Sequence, residues 1–245
     1  MSKVQLMLGD CLERMKEIES GSVDAIICDP PYGTTKCSWD SIIPLEPMWA
    51  ELKRIIKPNG AIVMTASQPF TTTLIASNMK MFKYCWVWQK QKPTNFYQVK
   101  YSPLKEHEDI AVFSQGKPKY YPQGTVEVSI KSGRKNKSSN LYSKYDGGDY
   151  VQKVGNYPRT VIKIPTEGDK YRVHPTQKPV ALMEYLIKTY TNEGETVLDF
   201  TAGSMSTAIA CINTNRKGVM IEKDERYFKV GSERVEGALS EKGIN

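Results

Sequence analysis

The stretch SVDAIICDPPYG (residues 22–33) passes from an apolar segment into a turn that carries a carboxylate, two prolines and an aromatic ring. A short apolar run that ends in turn residues is typical of a strand buried on both faces. Proline fixes its own φ and restricts the residue before it, so the backbone at Asp29 and Pro30 is predicted to be extended. The Asp29 carboxylate and the Pro30 carbonyl then provide two fixed hydrogen-bond acceptors at the end of a strand, beside Tyr32.

This set of groups complements an aromatic amine. An exocyclic amino group on a base has two N–H donors and an adjoining π-face, which match two acceptors and an aromatic ring. An ordinary turn satisfies the same backbone preferences and stays open as the alternative. It does not explain the choice of a carboxylate and a ring.

Strands and helices alternate on either side of this stretch. Strands are predicted at residues 4–10, 23–29, 61–67, 84–90, 109–114, 196–203 and 217–224, and helices at residues 11–18, 45–60, 179–191 and 206–215. Strands rich in Val and Ile that alternate with helices indicate an α/β fold with a mostly parallel, doubly wound sheet. Ligands of such sheets bind beyond the carboxyl ends of the strands, where Asp29 and Asp199 are both placed.

Composition limits the class of protein. The chain has 245 residues, of which 40% are apolar, and this suits one α/β domain with an insertion. Its apolar runs are too short to span a bilayer. Five cysteines without CxxC spacing favour a reducing cytoplasm over a disulfide framework. The two histidines, His107 and His174, are far apart in sequence, so no metal site is predicted.

The positive charge is concentrated in one segment. Residues 115–172 hold 12 basic and 5 acidic residues, whereas the counts are 13 and 12 before them and 9 and 10 after them. The same segment contains seven of the fourteen tyrosines. Basic residues interleaved with aromatic residues are typical of surfaces that contact nucleic acid. A solvated insertion is the alternative, and charge and tyrosine content alone do not decide between the two.

A second candidate site is the turn in LDFTAGSMST (residues 198–207). Gly203 permits close approach of a ligand to the backbone, and a hydroxyl from Ser204, Ser206 or Thr207 is suited to cap the following helix. Glu222 ends the next predicted strand, where its carboxylate is placed to accept hydrogen bonds from ribose hydroxyls. The two features together indicate a nucleoside ligand, with an ordinary βα turn and a surface glutamate as the alternative.

These motifs carry a family resemblance. DPPY, a downstream WD, HEDIAVFS, HPTQKP, LDFTAGS and IEKD follow one another in an order that resembles the β-class amino DNA methyltransferases, most closely the adenine-N6 members. The resemblance implies a Rossmann-like class I methyltransferase sheet in circularly permuted order, with helices on both faces. It also implies two halves of one domain, residues 1–114 and 173–245, separated by a target-recognition insertion at residues 115–172.

The resemblance implies the following roles. The catalytic group, which would bind and stack on the target base, is Asp29, Pro30, Pro31 and Tyr32. The pocket for S-adenosylmethionine, whose product is S-adenosylhomocysteine, is Asp10, Cys11, Thr176, Gln177, Lys178, Asp199, Phe200, Gly203, Ser204 and Glu222. Within it Lys178 would face the methionine carboxylate. The DNA contacts are Trp39, Asn95, Lys131, Arg134, Lys135 and Lys137, and the partner is double-stranded DNA, with a homodimer as a further expectation.

The implied reaction is direct methyl transfer to the N6 amino group of an adenine that is flipped out of the duplex, in a restriction–modification setting. Cytosine-N4 methylation uses a similar pocket, although its motif more commonly begins with Ser, so Asp29 favours adenine. RNA adenine and, less so, a protein glutamine are other candidate targets. Met205 stands where the family usually has Gly and is expected to crowd the cofactor or to forbid a positive φ, so a catalytically impaired DNA-binding relative is the alternative from another class.

Overall fold

The apolar run before Asp29 forms a fully buried strand. A computed structural model describes residues 3–34, 40–133, 149–168 and 177–243 of the protein, and in it all six residues of Val23–Cys28 are buried. The one charged member, Asp24, is neutralised by Lys57 and Lys119, whose ammonium nitrogens lie 2.8 and 3.3 Å from its carboxylate. Pairing of this kind allows a carboxylate to sit inside an apolar strand.

The described residues contain ten strands and six α-helices. The strands are β1 (Val4–Leu8), β2 (Val23–Cys28), β3 (Ile56–Ala66), β4 (Phe82–Thr94), β5 (Lys105–Phe113), β6 (Val126–Gly133), β7 (Asp149–Gly155), β8 (Val161–Lys163), β9 (Thr196–Asp199) and β10 (Lys217–Glu222). The helices are α1 (Cys11–Arg14), α2 (Leu45–Ile55), α3 (Phe70–Ser77), α4 (Val180–Tyr190), α5 (Ser206–Asn213) and α6 (Glu225–Glu241).

Eight of these strands form one sheet in the order β1-β10-β9-β2-β3-β5-β4-β8. Strands β1, β10, β9, β2 and β3 pair parallel with one another, while β5 pairs antiparallel with both β3 and β4. The predicted mostly parallel α/β sheet is therefore confirmed. Ala25 pairs with Val197 across β2 and β9, so the turns that follow these two strands emerge side by side.

Helices cover both faces of the sheet and create two apolar cores. On one face α4, α5 and α6 bury side chains such as Leu186, Ile212 and Val235. On the other face α2 and α3 bury Leu52 and Leu74, and the turn after α1 buries Met15. Each fully buried side chain of this size contributes about 2 kcal/mol to folding. Among the described residues, no helix is long and apolar enough to cross a membrane.

The helix predicted at residues 45–60 is wrong in its second half. Helix α2 ends at Ile55, and Ile56 already belongs to β3, where it pairs with Val23. Pro58 has no backbone N–H and cannot continue a helix of this kind. Gly60 is therefore a strand residue and not a helix terminus. Its backbone packs closely against Ile56 and Asp24, since a Cβ at this position would lie 2.6 Å from the Ile56 side chain and 2.8 Å from the Asp24 carbonyl.

Other boundaries differ by smaller amounts. Strand β1 ends at Leu8 and β9 at Asp199, earlier than predicted, because the residues that follow turn into the cavity described below. Strand β4 extends on both sides of its predicted range. Helices α3 and α6 and the short strand β8 were not predicted at all.

Residues Pro122–Arg159 form a compact unit of their own. Within it β6 and β7 pair antiparallel, and the Asn156 side-chain amide donates to the Gly124 carbonyl at 2.6 Å. The unit lies inside the predicted insertion at residues 115–172, while residues 115–121 and 160–168 belong to the main unit. The pair of strands was not predicted from this loop-rich sequence.

Candidate active site

A cavity of about 1050 Å³ lies at the carboxyl ends of the central parallel strands of the main unit. Residues 29–32, after β2, and residues 199–204, after β9, both line it. The two turns that the sequence singled out therefore open into a single cavity. Adjacency of β2 and β9 explains this, since the carboxyl ends of neighbouring parallel strands share one edge of the sheet.

Asp29 is held by three donors. Its Oδ1 accepts hydrogen bonds from the Tyr32 hydroxyl, at 2.6 Å, and from the Thr65 hydroxyl. Its Oδ2 accepts one from the Lys178 ammonium at 2.6 Å. A carboxylate has about four acceptor positions, so one position on Oδ2 stays available for a ligand. The side chain of Asp29 is 23% exposed and faces the cavity.

The Tyr32 ring stacks on Phe70, with ring centroids 5.4 Å apart and planes 24° apart. The Lys178 ammonium lies 5.6 Å from the centroid of the Tyr32 ring. Burial and the nearby Asp29 carboxylate raise the pKa of Tyr32 well above its ordinary value, so the hydroxyl stays protonated as a donor. The flat face predicted from the sequence is present, with its orientation fixed by three neighbours.

Asp40 fixes the turn that follows Tyr32, a role that the sequence did not predict. Its carboxylate accepts from the backbone N–H groups of Gly33 and Thr34, both at 2.9 Å. Gly33 has φ +67°, and a Cβ at this position would lie 2.9 Å from Ile42. In the sequence, Asp40 is an acidic residue seven positions after the Gly that ends the Pro-Pro turn. The backbone N–H groups that it binds could not be inferred from that position. Trp39, one of the expected DNA contacts, lies outside the described residues.

The second half of the cavity surrounds the β9 turn. Asp199 is 4% exposed and accepts from the Thr201 backbone N–H at 3.0 Å and from the Thr207 hydroxyl at 2.6 Å. Burial raises the pKa of Asp199 to about 7. Glu222 accepts from the backbone N–H groups of Gly203 and Asp224, each at 2.7 Å, and burial raises its pKa as well.

The remaining predicted cofactor residues that the structure describes border the same space. Asp10 caps α1 by accepting from the Leu12 N–H at 3.0 Å, and Cys11 is buried, which raises the pKa of its thiol to about 11. Gln177 accepts from the Ser204 hydroxyl at 3.2 Å. Phe200 is 1% exposed and packs into the core while also contributing to the cavity wall. Thr176 lies outside the described residues.

Lys178 lines the cavity and contacts the DPPY turn. Its ammonium contacts Asp29 at 2.6 Å and Glu108 at 3.3 Å, on the side of the DPPY turn. Glu108 was not among the predicted site residues. Glu108 lies in the motif HEDIAVFS, which the sequence analysis named but to which it gave no role.

Met205 does not obstruct the cavity, contrary to the expectation from the sequence. The residue adopts a positive φ of +64° at the N-terminus of α5. Its side chain is fully buried and lies against Gly231 of α6, where a Cβ would be only 2.3 Å from Met205 Cγ. Met205 is absent from the cavity wall, so the space for a ligand is retained.

The cavity has a donor set that fits S-adenosylmethionine. Two hydroxyl oxygens in its wall, Thr201 Oγ1 and Ser206 Oγ, are buried without a hydrogen-bond partner among the described residues. Buried hydroxyls of this kind are rare unless a ligand or water completes them. The acidic residues Asp199 and Glu222 complement a ligand that carries an ammonium and ribose hydroxyls. No group of three or more His, Cys, Asp or Glu placed to hold a metal ion occurs in the described part of the chain.

Of the predicted DNA contacts, Asn95 and Lys131 lie among the residues that the structure describes. Asn95 has φ +75° and starts the segment after β4, in which Phe96, Tyr97 and Tyr101 are 63%, 83% and 89% exposed. Lys131 is exposed on β6. Arg134, Lys135 and Lys137 lie outside the described residues.

The fold and the paired turns define a class I methyltransferase. A DNA methylase family matches residues 23–233 of the chain, and the protein belongs to that family.

Individual relatives and a solved structure agree with this. Over 94% of this chain and 82% of the other, it is 29% identical to the DNA adenine methyltransferase YhdJ of Escherichia coli (strain K12). Type II methyltransferase M.HpaI of Haemophilus parainfluenzae is 26% identical over 96% of this chain and 75% of that protein. The crystal structure of the M1.HpyAVI–SAM complex superimposes with a TM-score of 0.64 at 25% identity, covering 94% of this chain and 99% of the other.

Proposed function

We propose that this protein transfers a methyl group from S-adenosylmethionine to the N6 amino group of adenine in DNA. The observation that carries the proposal is the shared cavity, in which the DPPY turn and the Asp199 turn are adjacent. Membership of the DNA methylase family and similarity to a named DNA adenine methyltransferase support the substrate and the position of methylation.

The cofactor would be held by the second half of the cavity. Bound there, S-adenosylmethionine supplies an electrophilic methyl group on a sulfonium. Asp199 and the partnerless Ser206 hydroxyl are suited to its polar methionine end, and Glu222 to the ribose hydroxyls. Asp10 and Cys11 border the region proposed for the adenine ring, with Gln177, Phe200, Gly203 and Ser204 completing the wall.

The target amino group needs help because its lone pair is delocalised into the ring. Hydrogen bonds to Asp29 and to the Pro30 carbonyl favour a tetrahedral nitrogen and stabilise the positive charge that develops on it. Asp29 is suited to this role since one acceptor position on its Oδ2 is unused. Tyr32 supplies a stacking surface, and Pro31 holds the turn. Alignment of nitrogen, methyl carbon and sulfur then makes the transfer direct.

The base must leave the duplex to enter this cavity, at a cost of roughly a few kcal/mol. We propose that the basic insertion at residues 115–172 recognises the target sequence, with Lys131 and the neighbouring basic residues contacting phosphates. Asn95 and the exposed aromatic residues after it are proposed as a second DNA contact. The position of this segment supports the proposal, because Lys92 and Thr94, at the end of β4 just before it, line the cavity.

Cytosine-N4 methylation is not favoured, given the similarity to a DNA adenine methyltransferase and the Asp at the start of the motif. The catalytically impaired alternative depended on Met205, which leaves the cavity open. A homodimer, a cytoplasmic location and a restriction–modification setting stay proposals. The four described free cysteines support the cytoplasmic location, and similarity to a type II methyltransferase supports the restriction–modification setting.

Transfer of a tritiated methyl group to DNA, followed by nucleoside analysis, tests the proposal. N6-methyladenine is the expected product, and an Asp29→Ala variant is expected to lose at least about a hundredfold in kcat. Glu236→Ala, which removes an exposed carboxylate on α6, is the matched control and should retain full activity. N4-methylcytosine as the product, or undiminished activity of Asp29→Ala, would overturn it.

A further inference from the structure

Four charged side chains form a chain of alternating sign along the DPPY side of the cavity. Lys90 lies 2.5 Å from Glu108, Glu108 lies 3.3 Å from Lys178, and Lys178 lies 2.6 Å from Asp29. All four residues line the cavity. Strands β4 and β5 supply the first two, and the segment before α4 supplies Lys178. We call this set the charge chain.

Three members of the charge chain are largely buried, and the pKa values of Glu108 and Lys178 are shifted towards the charged form. The side chains of Lys178, Glu108 and Lys90 are 8%, 10% and 12% exposed. Burial alone raises the pKa of a carboxyl, but Lys178 and Lys90 outweigh it and lower the pKa of Glu108 to about 2. Burial lowers the pKa of an ammonium, yet Asp29 and Glu108 raise the pKa of Lys178 above its ordinary value. Buried charges are costly, so their balance of two positive and two negative groups calls for an explanation.

Orientation of Asp29 is one part of that explanation. Tyr32 and Thr65 hold Oδ1, and Lys178 holds Oδ2, so the carboxylate has a single orientation with one acceptor position left. Without Lys178 both positions on Oδ2 would be unfilled, and the target amino group would have no unique partner. A misplacement of about 1 Å in such a site costs about a hundredfold in rate.

Charge compensation is the other part. An ammonium next to Asp29 opposes the positive charge that develops on the target nitrogen. Glu108, on the opposite side of the same ammonium, offsets this effect, and Lys90 in turn keeps Glu108 ionised. The charge chain thereby lets a lysine orient Asp29 while its positive charge is largely cancelled.

We propose that Lys178 and Glu108 are positioning residues for methyl transfer, acting through Asp29, and that Lys178 does not bind the methionine carboxylate. The inference rests on the proposed function. It differs from the role that sequence alone predicted for Lys178, and it assigns a role to Glu108, which had none.

The test separates kcat from cofactor affinity. In Lys178→Gln we expect kcat at saturating DNA and cofactor to fall about a hundredfold, while the Kd for S-adenosylhomocysteine, measured by calorimetry, changes less than about twofold. Lys178→Arg, which restores a cation, should recover about tenfold of the loss. Glu108→Gln should lower kcat about tenfold, again with unchanged cofactor affinity. Lys188→Gln, an exposed lysine on α4, is the matched control.

A double variant guards against misfolding. Lys178→Gln with Glu108→Gln removes one charge of each sign, so it should be closer to wild type in stability than either single variant and show a kcat loss smaller than the product of the single losses. A Kd for S-adenosylhomocysteine raised tenfold or more, with kcat unchanged at saturation, would overturn the proposal and restore the cofactor role. Wild type that fails to methylate DNA would refute the proposed function instead.

Discussion

Met205 and Gly231 share one space between α5 and α6. A Cβ at residue 231 would lie 2.3 Å from Met205 Cγ and 3.3 Å from the Gly203 carbonyl oxygen, so the large side chain on one helix requires the absence of one on the other. The relationship ties α6 to the loop that borders the proposed cofactor pocket.

Gly231→Ala is expected to destabilise the protein by about 1–3 kcal/mol, because the added methyl group overpacks a filled site and this exceeds the gain in helix propensity. Chemical denaturation measures the free energy of unfolding. Gly237→Ala, on the same helix with nothing within 4 Å of the added Cβ, is the control and should stabilise by roughly 0.5–1 kcal/mol. Equal effects at the two positions would contradict the shared-space interpretation.

Tyr32→Phe keeps the ring but removes one of the two donors to Asp29 Oδ1. We expect kcat to fall about tenfold with little change in the KM for DNA, because stacking is retained and only the orientation of the carboxylate is loosened. Tyr32→Ala should lose at least about tenfold more. Steady-state methylation assays separate the two effects. Equal activity of Tyr32→Phe and wild type would show that the hydroxyl has no part in positioning.

Cofactor binding should depend on pH through Asp199. Burial raises its pKa to about 7, so between pH 5.5 and 7 the folded protein without ligand holds a proton on this carboxyl. A ligand that carries an ammonium favours the ionised form, so binding releases that proton and affinity rises with pH. We expect the Kd for S-adenosylhomocysteine to fall by up to about tenfold from pH 5.5 to 7.5.

Calorimetry in buffers of different ionisation enthalpy detects the proton release directly. Burial also raises the pKa of Glu222, so a proton that Glu222 releases on binding would act with the same sign. Asp199→Asn should bind more weakly and lose most of the pH dependence. A wild-type Kd that is constant over this range would exclude the coupling.

The aromatic segment after β4 should affect DNA and not the cofactor. Tyr97 and Tyr101 are 83% and 89% exposed, and Lys92 and Thr94 just before them line the cavity. Loss of base stacking costs about 1–3 kcal/mol per aromatic residue, so Tyr97→Ala or Tyr101→Ala should raise the KM for DNA about tenfold. Met79→Ala is the control, because Met79 is 63% exposed and lies just before the start of β4, at the opposite end of that strand. A change in oligomeric state instead of DNA affinity would indicate a protein interface.

The sequence predicted the sheet well because burial leaves a clear pattern. The strands around Ile26, Val63 and Leu198 are apolar on both faces and bounded by turn residues, and each was located. The predicted range of helix α2 is too long because the apolar spacing continues through Ile56. Only the pairing of Ile56 with Val23 shows that Ile56 belongs to β3. Helix α6 was missed because just two of its residues, Gly231 and Val235, are buried.

The sequence predicted where the two turns lie in the sheet but not which side chains contact one another. Asp29 and Asp199 were placed at strand ends, and the sheet brings both turns to one cavity. The partner of Lys178 was not inferable, since 149 positions separate it from Asp29 and only the fold brings them together. The conformation of Met205 was also hidden, because the space that accepts its side chain is created by a glycine on another helix.

The neighbouring positions of β2 and β9 in the sheet have a consequence for synthesis of the protein. A ribosome makes Val23–Cys28 some 170 residues before Thr196–Asp199, so a nascent chain carries the amine-binding corner long before the strand that flanks it exists. Until then one side of a strand that is apolar except for Asp24 has unpaired backbone groups, a known template for association between chains. Premature termination before residue 196 would therefore yield an aggregation-prone product that lacks Asp199 and Glu222, two of the residues proposed to hold the cofactor.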